Sequence, residues 1–226
     1  MGSVPEIQVA LGRHPGCRLL GGGTVLAGQI AREGWTGDLL TLAGCPEARA
    51  IGPRTAGAAV TLDELAGAAG AVPAHLAAAA ARAGSAEVRR AATVGGNCAP
   101  DVAGCVYLVL LSLAAEARTA TPDLIVDRPL WTAGEAALVG VRWSGGATGG
   151  FARTAEVAGN GLPVCAVAVT AVGAALRIAV GYLTPRPVVV TTTEPESVPH
   201  AVVAGGPGGA REAVDDCLRR ALRSVG

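Results

Sequence analysis

Short apolar runs alternate with glycine- and proline-centred turns along the first fifty residues. Residues 7–11 and 17–20 flank the turn His14-Pro15-Gly16, and the second run leads directly into Gly21-Gly22-Gly23-Thr24. Residues 25–33 carry helical spacing and stop at Gly34. Residues 38–42 and 50–52 read as strands around a turn at Cys45-Pro46. Thr61-Leu62-Asp63-Glu64 has the form of a capping box and predicts a short helix over 62–69. Pro73 opens a second helix, through His75 and an alanine-rich stretch, that stops at Gly84-Ser85. Residues 102–114 are apolar throughout, long enough to favour a helix over a strand.

Beyond Gly149 the period changes. Residues 151–157, 164–172 and 175–182 alternate or are β-branched, with Asn160-Gly161 and Gly173 as hairpin punctuation. Residues 212–225 form an amphipathic helix with Val214, Cys217, Leu218, Ala221 and Leu222 on one face. The Gly- and Ser-rich stretch 143–150 is the linker candidate, dividing the chain into a lobe over 1–143 (parts 1–52 and 53–143) and an α+β domain over 149–226.

Composition narrows the chemistry. Half the residues are apolar but only 3% are aromatic, so the core must be built from Ala, Val and Leu. The formal net charge is +0, with 18 basic and 18 acidic residues dispersed, which leaves no basic stripe for nucleic acid and no polybasic membrane patch. Every basic residue is arginine, and without lysine no Schiff-base or lysine general-base mechanism is available. The 6 cysteines contain no CxxC pair and match no zinc or iron–sulfur spacing, so no metal site is expected. The start of the chain lacks signal-peptide texture, and apolar stretches are interrupted before bilayer length, so a cytoplasmic protein with reduced thiols is expected.

Two glycine-rich turns carry the candidate chemistry. Gly21, Gly22, Gly23 and Thr24 form one; Thr93, Val94, Gly95, Gly96 and Asn97 form the other. Consecutive small residues after a strand leave backbone amides able to face a pyrophosphate, and the two turns are expected to converge on one cleft. Neither is a GxGxxG or a P-loop. Their order matters: Leu19-Leu20 with the first turn, Ile51-Gly52, Val60-Thr61-Leu62-Asp63-Glu64-Leu65, Gly84-Ser85, Val88-Arg89, Ala92 with the second turn, Phe151-Ala152-Arg153, Val167-Ala168-Val169, residues 176–181 and Pro185-Arg186-Pro187. This collinear set resembles the FAD-binding medium-subunit family of xanthine and carbon monoxide dehydrogenases over about residues 17–187. The resemblance implies an α+β fold: a two-part FAD-binding lobe, then a small C-terminal domain with a three-stranded antiparallel sheet and a packed helix.

Departures from the family bear on function. The family's longer turn after the second loop, ending in a cofactor-contacting aspartate, is shortened here to Asn97-Cys98-Ala99-Pro100-Asp101, with Asp101 the residue left to serve. The aromatic segment near the isoalloxazine is missing between Arg128 and Ala137, leaving Trp131 as the substitute, and Arg153 stands where the family has a flavin-facing lysine. Arg153 is the leading catalytic candidate because its fork of donors suits a carboxylate, an enolate or a flavin carbonyl. Asp101 and Tyr107 are further candidates, and His75 and Tyr107 also have plain packing roles open to them. Two functional readings follow. The trimmed flavin contacts favour a cofactor-free cleft that cyclises or isomerises a polyketide-like small molecule by positioning. The alternative is a working FAD flavoprotein, either a standalone oxidoreductase or the flavin subunit of a molybdenum hydroxylase with iron–sulfur and molybdopterin partner chains.

Overall fold

A computed structural model of the chain describes all residues except 1, 100, 101, 103, 131–135, 145–147, 156–162, 184, 185, 203–208 and 226. Helix α1 (Val4–Arg13) starts where the Ser3 hydroxyl accepts from the Glu6 amide, and it buries Val4 and Ile7. Strand β1 (Arg18–Leu20) runs parallel to β2 (Leu39–Thr41), with α2 (Leu26–Glu33) between them ending on left-handed Gly34, φ +65°. The first glycine turn is the connection from β1 into α2.

Helix α3 (Pro46–Arg49) leads to β3 (Ile51–Gly52) and β4 (Thr55–Gly57). The capping box forms as read: Thr61 caps the Glu64 amide and the Glu64 carboxylate returns to the Thr61 amide at 2.8 Å, opening α4 (Leu62–Gly67). Then come α5 (Ala74–Ala81), α6 (Ala86–Ala91), α7 (Val94–Asn97) and α8 (Cys105–Ser112). Three strands follow, β5 (Glu116–Ala120), β6 (Ile125–Pro129) and β7 (Ala137–Arg142), completing a 5-stranded antiparallel sheet in the order β3-β4-β7-β5-β6. The pattern reading gave residues 116–142 no strands. Their alternation is short and heavily charged, because the exposed face is an ion-pair row: Arg142 reaches Glu116 at 2.8 Å and Asp127 at 3.3 Å.

The C-terminal sheet has 4 antiparallel strands in the order β11-β10-β9-β8. They are β8 (Gly149–Arg153), β9 (Ala166–Val172), β10 (Ala175–Gly181) and β11 (Val188–Thr192), followed by α9 (Val198–Val202) and α10 (Ala210–Leu222). The expected three strands are β8 to β10. The added edge strand β11 is a β-branched run after Pro187, which pairs along β10 from Leu176–Thr192 to Val180–Val188.

Strand periodicity divides the sheet's two faces. Ala152, Val167, Val169, Ile178 and Val180 pack against Val214, Cys217, Leu218 and Ala221 of α10. The opposite face, with Phe151, Ala166, Ala168 and Ala179, joins the largest core cluster together with Leu76, Leu108 and Val141. Small residues on this face let α5 and α8 lie close to the strands. A polar thread runs inside this contact, His75 Nε2 to Thr170 Oγ1 at 3.2 Å and Thr170 to Ser112 at 2.8 Å, while Arg82 donates across it to Phe151 O at 3.2 Å and Arg177 to Leu111 O at 3.0 Å. No helix among the described residues is long and apolar enough to cross a membrane.

Candidate functional site

The two glycine turns meet although about seventy residues separate them. A Cβ built on Gly21 would stand 2.4 Å from the Thr93 hydroxyl, and one on Gly22 only 1.6 Å from the carbonyl oxygen of Ala91. Gly21 is therefore glycine because the Thr93 side chain fills the space, Gly22 because backbone passes backbone there, and Gly23 adopts φ +71°.

The turns differ in what their amides do. In the second turn the Val94 amide donates to Val60 O at 2.9 Å and Gly95 to Ala58 O at 2.8 Å. Gly96 donates to the Thr93 hydroxyl at 3.2 Å, and Asn97 to Thr93 O at 2.9 Å. Those donors are consumed in holding α7. In the first turn no amide of residues 21–24 finds a protein acceptor among the described residues, and α2 begins at Val25 without a side-chain cap. Unpaired amides at a helix start favour an anion. The second turn supplies a wall and the first supplies the donors.

Asn97 has a different task from the amides around it. Its Oδ1 accepts from the Val106 amide at 2.9 Å and the Tyr107 amide at 3.3 Å, capping α8, whose own N-cap residue is Gly104. A side chain at 104 would collide with Asn97, since a Cβ would lie 2.2 Å from its Nδ2.

Between the turns opens a cleft of about 990 Å³. Gly21, Gly22, Gly23 and Thr24 line one part of it, and Thr93, Gly96 and Asn97 line another. Gly95 instead lines a smaller, mostly apolar cavity of about 320 Å³ that shares Gly21, Gly22, Thr93 and Gly96 with the cleft. Val94 is fully buried in the core.

Arg153, at the end of β8, lines the cleft together with Cys105 and Tyr182. Cys105 Sγ lies 3.4 Å from the Tyr182 hydroxyl, and the Arg153 charge acts on its thiol. Burial raises the Cys105 thiol, against the pull of Tyr182 and Arg153, and burial followed by Cys105 raises the Tyr182 phenol. At neutral pH this end of the cleft presents a neutral thiol–phenol pair beside one guanidinium. Tyr182 holds a left-handed backbone, φ +74°, uncommon for a residue with a side chain.

Tyr107 lies on α8, half-buried against the main core, and lines neither cavity; burial is the chief cause of its raised phenol pKa. Asp101 and Trp131 lie outside the described residues. Cys105 and Tyr182 escaped the sequence reading. Cys105 sits in an apolar run that reads as core, and nothing in the sequence marks Tyr182 as the residue that turns out of β10 into the cleft.

The chain belongs to the family of FAD-binding domains in molybdopterin dehydrogenases, whose family model matches residues 2–160. Among solved structures it is similar to the carbon monoxide dehydrogenase of Hydrogenophaga pseudoflava that lacks the Mo-pyranopterin moiety, with TM-score 0.81, 19% identity, and cover of 100% of this chain and 95% of that one. It is equally similar to quinoline 2-oxidoreductase from Pseudomonas putida 86, with TM-score 0.81, 19% identity and the same cover, 100% and 95%. For reconstituted CO dehydrogenase from Oligotropha carboxidovorans the TM-score is 0.78 at 18% identity, covering 99% of this chain and 94% of that one. These likenesses establish the fold. No curated protein sequence matches the chain.

The family match corrects the preference for a cofactor-free cleft and points to FAD. The physical ground for that preference was the lost aromatic wall. Tyr182 brings an aromatic ring to the cleft from another part of the chain, and the donor-bearing first turn is intact. The cyclase or isomerase reading has no support in the relatives, which are oxidoreductases by name.

Proposed function

We propose that the chain is the FAD-binding component of a molybdenum-hydroxylase-type oxidoreductase. FAD sits in the cleft between the glycine turns and exchanges electrons with iron–sulfur and molybdopterin centres on partner chains. One observation carries this reading: within the segment that matches the FAD-binding family, the acceptor-less amides of residues 21–24 line a cleft large enough for a dinucleotide.

FAD, when bound, supplies a group that takes up two electrons together and can release them singly. The chain's own residues bind and orient it. The first-turn amides and the start of α2 face the pyrophosphate, a role that otherwise falls to lysine, of which this chain has none. Arg153, Cys105 and Tyr182 form the part of the wall with an aromatic surface and a fixed positive charge. The 226 residues carry no cysteine spacing of an iron–sulfur site, which supports placing the next electron carrier outside this FAD-binding unit.

The test is a titration of the purified, cofactor-stripped protein with FAD, followed by flavin fluorescence and by the flavin band near ~450 nm. One FAD per chain is expected, with FMN binding at least tenfold more weakly because it lacks the pyrophosphate. Absence of saturable FAD binding sinks the reading.

A further inference from the structure

The C-terminal domain holds a second chemical cluster, away from the cleft. Cys165, immediately before β9, and Cys217, on α10, are both free and both fully buried. Cys217 Sγ lies 3.9 Å from the Cys165 carbonyl oxygen, which sets the Cys217 sulfur against the Cys165 residue. Arg220 covers the pair. Its Nη2 donates to Cys217 Sγ at 3.3 Å and to the carbonyl of Arg153 at 3.0 Å, and it pairs with Asp216 at 2.8 Å. The Arg220 side chain is 41% exposed, so the thiols lie one side chain beneath the surface, within reach of a small oxidant.

We propose that Cys165 and Cys217 form a reversible disulfide on exposure to a peroxide, stapling α10 to the sheet behind the cleft. Packing alone does not ask for this arrangement. A thiol held against a second cysteine residue and beneath a guanidinium differs from an isolated core cysteine, which is inert. The Cys165 hydrogen bond and then Arg220 lower the Cys217 thiol, against its burial and Asp216, while the same hydrogen bond and burial raise Cys165. Because the Arg220 guanidinium rests on Cys217 Sγ at 3.3 Å and favours its thiolate, Cys217 is the attacking sulfur and Cys165 the resolving one.

In the first step the Cys217 thiolate attacks one peroxide oxygen. The O–O bond breaks, hydroxide leaves and takes up a proton, and Cys217 becomes a sulfenic acid. In the second, the Cys165 sulfur attacks the sulfenic sulfur; the S–S bond forms and the hydroxyl leaves as water with the Cys165 proton. Two thiols and one hydrogen peroxide give one disulfide and two waters, and a dithiol reductant reverses the change. Arg220 links this cluster to the cleft, because the nitrogen that touches Cys217 also holds the backbone of Arg153.

The experiment exposes the folded, fully reduced chain to hydrogen peroxide, quenches with acid, and alkylates in denaturant. Of the 6 free cysteines, 4 should remain alkylatable, with peptide mapping joining Cys165 to Cys217 and a dithiol restoring all 6. In Cys217→Ser the remaining thiols should all stay alkylatable, and Cys165→Ala should stop Cys217 at the sulfenic acid, trapped by a dimedone probe. Retention of both thiols at peroxide levels that oxidise free glutathione overturns the proposal. So does linkage of either residue to a different cysteine. None of these readouts depends on flavin.

Discussion

Asn97 shows how a residue can be conspicuous in a sequence while its work is not. In the sequence it closes a glycine turn and reads as a cofactor contact. In the fold its Oδ1 takes the two amides that α8 leaves open, at Val106 and Tyr107, from a position nine and ten residues earlier. Such a cap contributes about 1–2 kcal/mol, more when the freed amides stay buried. Asn97→Ala should lower unfolding stability by about that amount in urea denaturation, and Asn97→Asp, which keeps an acceptor at a helix start, should recover most of it. Equal losses in both variants would mean that the cap is not what Asn97 contributes. Tyr182 illustrates the reverse case. Its left-handed backbone and its bond to Cys105 leave no trace in composition or periodicity, because both depend on where β10 ends relative to a helix about seventy residues upstream.

The elements were unevenly legible, for physical reasons. Helix α4 was readable because its capping box is local, a reciprocal bond between Thr61 and Glu64. Helix α10 was readable because Val214, Cys217, Leu218 and Ala221 form one apolar stripe. Strands β5 to β7 were not, since their short alternation is broken by charges whose pairing is tertiary: Glu116 and Arg142 face each other only once the sheet exists. The glycine turn before α2 was legible as a turn. The reason for Gly22, contact with the end of α6 near Ala91, is tertiary and was not. Two glycine substitutions separate these cases. Gly22→Ala places a Cβ 1.6 Å from Ala91 O and 2.2 Å from Ala91 C, so turn and helix must part. It should lower the melting temperature by several degrees and weaken FAD binding by about tenfold or more, since a small shift of the donors misaligns them. Gly67→Ala, at the end of α4 with nothing within 4 Å of the added Cβ, should instead raise stability by about 0.5 kcal/mol, with FAD affinity unchanged. If Gly22→Ala binds FAD as tightly as the unsubstituted chain, the first turn is not the phosphate site.

At the scale of the whole molecule, the first lobe and the C-terminal sheet share a core. α5 and α8 carry Leu76 and Leu108 into the same cluster as Phe151, Ala168 and Ala179. Within this contact His75 is the under-satisfied group: the ring is 3% accessible, its Nδ1 has no partner, and its Nε2 meets only the Thr170 hydroxyl. Burial depresses its pKa from 6.5 to about 4. The sign of the effect follows from linkage. Above pH 6.5 both folded and unfolded chains hold a neutral ring, and stability is at its full value. As pH falls from 6.5 towards 4 the unfolded chain takes up a proton that the folded chain refuses, so stability drops until the folded ring also titrates. The loss amounts to about 2 kcal/mol between pH 7.5 and pH 5. The carboxylates of Glu64, Glu6, Glu47 and Glu87 are also depressed, chiefly by hydrogen bonds from backbone amides, and their stabilisation is lost mainly below their ordinary value of 4.5. Urea unfolding at the two pH values should show the drop in the unsubstituted protein and a drop smaller by about 2 kcal/mol in His75→Gln, whose amide can still meet Thr170 without titrating. An equal pH slope in the two proteins would place the acid sensitivity elsewhere than at the junction between the lobe and the sheet.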